Sequence, residues 1–149
     1  MAPYSTVVVG TDGSDTSYAA VARAAAVADA NRADLVIVSA YRPEDRGSDA
    51  ATDVLGEDGH LVKGWAPAED TLRTAHDHAT REIDGSRIRT RTTAGDPVDV
   101  LNAAVRDHNA DLLVVGNKGL DTLLGRVLGS VPSDAARSAE VDILIVHTT

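Results

Sequence analysis

The chain has 149 residues, 43% of them hydrophobic, with no Cys, no Phe and a formal net charge of -9. That length suits one ordinary domain, expected to span residues 1–149, with a core built from Val, Leu, Ile and Ala. The missing cysteine excludes disulfides, thiolate metal sites and cysteine nucleophiles, and the acidity argues against nucleic acid as a partner, since binding it needs basic surface.

The start, "MAPYSTVVVG", has no basic flank and no long apolar stretch. It is neither a signal peptide nor a membrane span, and the expectation is a cytoplasmic protein with no membrane partner. "TVVVGT" (6–11) is a β-branched run with little alternation, the pattern of a strand buried on both faces of a parallel sheet. Residues 14–30 are Ala-rich and predict a helix, with Ser14 or Asp15 as its N-cap. "LVIVSAY" (35–41) predicts a second strand. Residues 42–65 follow, acidic and Gly-containing with no sustained period; they predict a surface excursion with one helical turn around "AATDVL".

A helix is expected over 67–83, opening on Pro67. "IRTRTT" (88–93) predicts the most polar strand, suited to a sheet edge. Pro97 after Asp96 is a good helix start, and the helix is expected over 97–108. "LLVVG" (112–116) predicts a buried strand, 130–139 the last helix and "DILIVHT" (142–148) the last strand. Strands alternating with helices predict an open, doubly wound α/β sheet.

In such sheets ligands bind beyond the carboxyl ends of the strands, where strand order reverses. Two of these ends carry unusual residues. One is "GTDGSD" (10–15). The other is "GNKGLDTLLGRVLGSVP" (116–132), where a short connection would be ordinary. Glycine lets backbone approach a ligand and adopt positive φ. Gly116 and Gly119 can bring the loop against a ligand, and Gly129 and Ser130 stand where the last helix begins. Free N–H groups at a helix start bind anions. Any single glycine here is explained equally well by a helix C-cap or a packing contact; the set describes a phosphate cradle. It is neither a Walker loop nor a dinucleotide fingerprint.

These stretches resemble a known family. "VVVGTDGSDTS" (7–17), "AGDPVDVL" (94–101), "ADLLVVG" (110–116) and "GNKGLDTLLGRVLGSV" (116–131) are similar to the universal stress proteins, over nearly the whole chain. Within that family G-x2-G-x9-G-[ST] marks members that bind ATP or related adenine nucleotides, and Gly116, Gly119, Gly129 and Ser130 complete it. The resemblance implies a five-stranded sheet of order 3-2-1-4-5 and a homodimer paired through the last strand, 142–148. It places Asp12 at the nucleotide, on the ribose or on a Mg²⁺ bound with ATP, with Gly10, Thr11 and Gly13 flanking the ligand and Ala40 offering backbone to adenine. Asn117 and Val131 join the expected nucleotide-binding set.

Two of these residues carry a second explanation. Asp12 would equally cap the turn at Gly13–Ser14. Arg126, in the glycine loop, is as readily a solvent-exposed charge as an anion contact. A phosphoacceptor role for Asp12 lacks the acidic neighbour, second Asp and Lys it needs. No His, Asp or Glu grouping spells a metal site or a catalytic triad, so no catalytic residue and no metal ligand is assigned. The function expected is cytosolic binding of ATP, ADP, AMP or cyclic AMP in stress response or nucleotide signalling. The alternative is a slow ATPase or nucleotidyl-transfer enzyme of the same architecture, for which only Asp12 is on hand as a base.

Overall fold

The computed structural model describes residues 3–41, 65–117 and 130–148. The acidic segment 42–64, with its expected helical turn, and the glycine loop 118–129 lie outside the described residues. Five parallel strands form one sheet in the order β3-β2-β1-β4-β5. They are β1 (Thr6–Gly10), β2 (Asp34–Tyr41), β3 (Ile88–Ala94), β4 (Leu112–Gly116) and β5 (Asp142–Val146). The helices are α1 (Asp15–Asn31), α2 (Trp65–Ala79), α3 (Pro97–Asp107) and α4 (Ser130–Ser138). The α/β class, the strand order and the edge position of "IRTRTT" all hold.

The apolar runs lie where parallel strands need them. Val7, Val8 and Val9 are fully buried, and so are Leu35, Ile37, Leu113 and Val114. Alternate side chains feed two cores. Val7, Val9, Leu35 and Ile37 meet Ala20, Ala24 and Ala28 of α1 and Leu72 and Ala75 of α2. Val8, Val36 and Val38 meet Val100, Leu101 and Ala104 of α3 and Ala135 of α4. The alanines of α1 have high helix propensity and let the helix lie close on the sheet.

Element ends differ from expectation for identifiable reasons. Ser14, not Asp15, is the N-cap of α1, its side chain accepting from the Ser17 N–H. Helix α2 starts at Trp65, before Pro67. Proline is still tolerated there, because first-turn N–H groups have no intrahelical partner. The same helix ends at Ala79 although the apolar period runs on to Ile83, which is buried. Asp84 then caps a separate 3-10 turn, Gly85–Arg87. Strand β5 stops at Val146 because its neighbour β4 ends at Gly116, the last residue in register with it.

Candidate functional site

Strand β1 pairs with β2 on one side and β4 on the other, so strand order reverses at its carboxyl end. A cleft opens there, with about 660 Å³ of empty space that is in part open to solvent. Gly10, Thr11 and Asp12 leave β1 along it, Ala40 comes from the end of β2 and Gly116 from the end of β4. These five are among the positions that the resemblance puts at a nucleotide.

One wall is polar. Thr11, Asp12, Thr16 and Ser17 line it, from the β1–α1 turn and the first turn of α1. Their hydroxyls form a directed network. Ser14 Oγ donates to Asp12 Oδ1 at 2.6 Å, and the Ser14 N–H adds a second bond to that oxygen at 2.9 Å. A hydroxyl has one hydrogen, so Ser14 accepts in its 3.2 Å contact with Thr16 Oγ1. Ser17 Oγ donates to the Ser14 carbonyl at 2.8 Å, so Thr11 is the donor in the 2.8 Å Thr11–Ser17 contact. Thr11 Oγ1 then accepts from the Gly13 N–H at 3.2 Å. Asp12 therefore caps the turn and also lines the cleft. Its Oδ1 is engaged by Ser14, and among the described residues no hydrogen bond occupies Oδ2.

The other wall is apolar. Val38 and Val115 line it from the sheet, and Pro97, Val100 and Leu101 from α3. Asp96 caps α3, accepting from the N–H groups of Val98 and Asp99. Gly10 is tied to this wall, because a Cβ there would lie 2.9 Å from Leu101 Cδ2. No described basic side chain lines the cleft, and no group of three or more His, Asp or Glu among the described residues could hold a metal ion.

The remaining predicted positions divide. Gly13 stands beside the cleft with φ +87°, and an added Cβ would lie 3.0 Å from Thr71 Oγ1 of α2. Helix α4 starts at Ser130, as the glycine pattern expects, with Val131 in its first turn. Gly119, Arg126 and Gly129 lie outside the described residues. Asn117 stands directly after β4, next to Gly116. It is not among the cleft-lining residues, and its side chain turns to the end of β5, where Oδ1 accepts from the Thr148 N–H at 2.9 Å.

Thr16, Ser17, Pro97, Val100, Leu101, Val38 and Val115 were not named as site residues from sequence. The first two follow directly on "GTDGSD", where helical spacing alone would have pointed them at the same turn. Pro97, Val100 and Leu101 fall in "AGDPVDVL", a segment that carried the resemblance but had been given no role. Nothing local distinguishes Val38 and Val115 from other buried strand valines.

Fold and cleft together define an open parallel α/β protein with a ligand-sized opening at the reversal of strand order, polar on one side and apolar on the other. The model of the universal stress protein family matches residues 3–147. A universal stress protein of Mycobacterium tuberculosis strain H37Rv is 48% identical over 149 residues, covering 100% of both chains. The chain belongs to the universal stress protein family. The crystal structure of a universal stress protein in complex with cAMP superposes with a TM-score of 0.75 at 44% identity, over 98% of each chain. A universal stress protein of Lactobacillus plantarum shares the fold, with a TM-score of 0.74 at 20% identity over 99% of this chain and 100% of that one.

Proposed function

We propose that this chain binds an adenine nucleotide in the β1–β4 cleft, and that it acts in the cytosol in stress response or nucleotide signalling. The supporting observation is the two-sided cleft, in a chain 44% identical to a universal stress protein crystallised with cAMP. A flat base suits the apolar side, near Ala40, Val100 and Leu101. Ribose hydroxyls suit Asp12, whose Oδ2 is an acceptor without a bond of its own among the described residues. The Thr16 and Ser17 hydroxyls, whose hydrogens are used within the turn, line the polar side, and Gly116, Gly119, Arg126, Gly129, Ser130 and Val131 are expected to supply the anion end. A Mg²⁺ arriving with ATP would find Asp12 as the one carboxylate among the described lining residues.

In this proposal the protein is one domain over residues 1–149, and it binds rather than turns over its ligand. Asp12 is the one carboxylate among the described lining residues and serves the ribose in this reading, which leaves hydrolysis without a second acidic group to act as base among them. Two copies pair through β5, an edge strand on which Ile145 is 45% exposed, since exposed apolar edges invite pairing. The test is mass spectrometry of nucleotide released from freshly purified, denatured protein, followed by calorimetric titration with cAMP, ATP and GTP. An adenine nucleotide should be recovered, and cAMP or ATP should bind well ahead of GTP. No heat with either adenine nucleotide at millimolar concentration would overturn the proposal, and turnover above about 1 per second would make the protein an enzyme.

A further inference from the structure

The Asn117 side chain, turned away from the cleft, is fully engaged at the end of β5. Its backbone N–H donates to the Val146 carbonyl at 2.9 Å. Oδ1 accepts from the Thr148 N–H at 2.9 Å and from Thr148 Oγ1 at 3.0 Å. Nδ2 lies 3.3 Å from His147 Nδ1. A backbone N–H can only donate, so Oδ1 must face Thr148 and Nδ2 must face His147. Nδ1 of His147 is then the acceptor. The β4–β5 register ends at Gly116–Val146, and Asn117 continues it with side-chain bonds where no further strand exists.

The same residues back the cleft. Gly116 lines it. A Cβ on Gly116 would stand 3.7 Å from Thr148 Cγ2 and 3.6 Å from Ala20 Cβ. The methyl of Thr148 thus packs behind Gly116 while Asn117 holds its hydroxyl and its N–H. We infer that Asn117 is a positioning residue that holds Thr148 against the back of Gly116, so that a nucleotide in the cleft and the order of residues 147–148 are energetically linked. This rests on the proposed nucleotide site. Linkage is reciprocal, so the ligand should order this end of the chain as much as that order favours the ligand.

The experiment uses the full chain and cAMP as probe, with calorimetry for affinity and NMR-detected amide exchange at His147 and Thr148. Asn117→Ala removes both side-chain contacts. Asn117→Asp keeps the acceptor for Thr148, loses the donor to His147 and adds a negative charge, whose effect is screened by making the comparison at high salt. In wild type, cAMP should slow exchange at Thr148 by about fivefold or more. Asn117→Ala should abolish that slowing and weaken cAMP binding by about fivefold or more, while Asn117→Asp should restore both to within about twofold of wild type. A purely structural role would lower stability and leave the cAMP-dependent exchange intact. Thr148→Val keeps the shape behind Gly116 without the hydroxyl and should give an intermediate loss. The inference is overturned if Asn117→Ala binds cAMP as wild type does, or if cAMP binds and leaves Thr148 exchange unchanged. Absence of cAMP binding by wild type would overturn the site itself, and the linkage with it.

Discussion

The two ends of the sheet are built on opposite plans. At the amino ends of the strands, polar groups answer one another. Asp111, just before β4, accepts from the N–H groups of Ser5 and Thr6 at 3.0 and 3.1 Å and from the Ser5 hydroxyl at 3.1 Å. Tyr4 donates to Asp142 at 2.9 Å, and Arg87 reaches the Ala33 carbonyl at 2.6 Å. These bonds tie the start of β1 to those of β4 and β5, and the start of β3 to that of β2. At the carboxyl ends, hydroxyls, a carboxylate and glycine backbone are turned toward a cleft. The hydroxyls at the carboxyl end bond one another as well, but they shape a turn that leaves Asp12 Oδ2, among the described residues, without a bond of its own, whereas the amino-end bonds join strand to strand. Changes at the two ends should therefore separate stability from binding.

The largest effect is expected where the carboxyl end is also strained. Gly13→Val places a β-branched residue at φ +87°, with its Cβ 3.0 Å from Thr71 Oγ1. The backbone strain alone costs about 1–3 kcal/mol. Since Gly13 sets the turn that carries Asp12 and Ser14, cAMP affinity should fall as well. Denaturant unfolding and calorimetry should both register the change. A variant as stable as wild type would mean that the turn relaxes without cost.

Asp12→Ala should then part the two properties. Affinity for cAMP should drop about tenfold, or about 1.4 kcal/mol. Stability should fall by only about 1 kcal/mol, for the lost capping bonds to Ser14. Unchanged affinity in a folded variant would reduce Asp12 to a turn cap.

Asp111 should do the reverse. Asp111→Ala should cost about 1 kcal/mol of stability and leave cAMP affinity as it was. The acid response gives a second readout. Burial would raise the Asp111 carboxyl's pKa, but the bonds from Thr6 and Ser5 outweigh that and hold it below the usual carboxylate value. A group depressed in the folded state adds stability above its unfolded value, about 3.9, and loses it as pH falls through the folded value. The wild-type advantage over Asp111→Asn in urea midpoint should therefore be full at neutral pH and shrink on acidification below about pH 4. A pH-independent difference would remove the ionised carboxylate from the account.

Much of this was legible in the sequence because parallel sheets leave a strong signal. The runs at 6–10, 35–41 and 112–116 are apolar on both faces, and Ser14, Asp96 and Pro97 mark helix starts by local chemistry. Strand order and the proposed adenine ligand came from resemblance, since no local pattern encodes which strands are neighbours, whereas the glycines alone suggested an anion-binding helix start. The apolar wall was missed because Val100 and Leu101 are core residues by periodicity, and only the packing of α3 beside Gly10 brings them to the cleft. Asn117 joined the expected nucleotide set because its neighbours belong to the glycine pattern, and its side-chain bonds were not foreseen. Its partners, His147 and Thr148, are some thirty residues away, a separation that spacing arguments do not bridge.

The smallest effect concerns a polar group that fits neither plan. Ser39 lies in β2 between Val38 and Ala40, both on the cleft, and its own side chain faces away from them. It is fully buried, and among the described residues its hydroxyl has no hydrogen-bond partner. On that face of β2 its companions are Leu35 and Ile37, packed with α1 and α2. A hydroxyl buried without a partner loses its bonds to water and gains none in return. Ser39→Ala removes that penalty and gives up only the contacts of one oxygen atom. The variant should be more stable by about 0.5–1 kcal/mol, read as a higher urea midpoint at unchanged slope. Because Ala40 lines the cleft from the opposite face, cAMP affinity should stay at the wild-type value. A loss of stability would mean that Ser39 has a bonding partner in solution. A loss of affinity at equal stability would mean that the hydroxyl sets the position of Ala40, extending the function of the carboxyl end through the sheet to its other face.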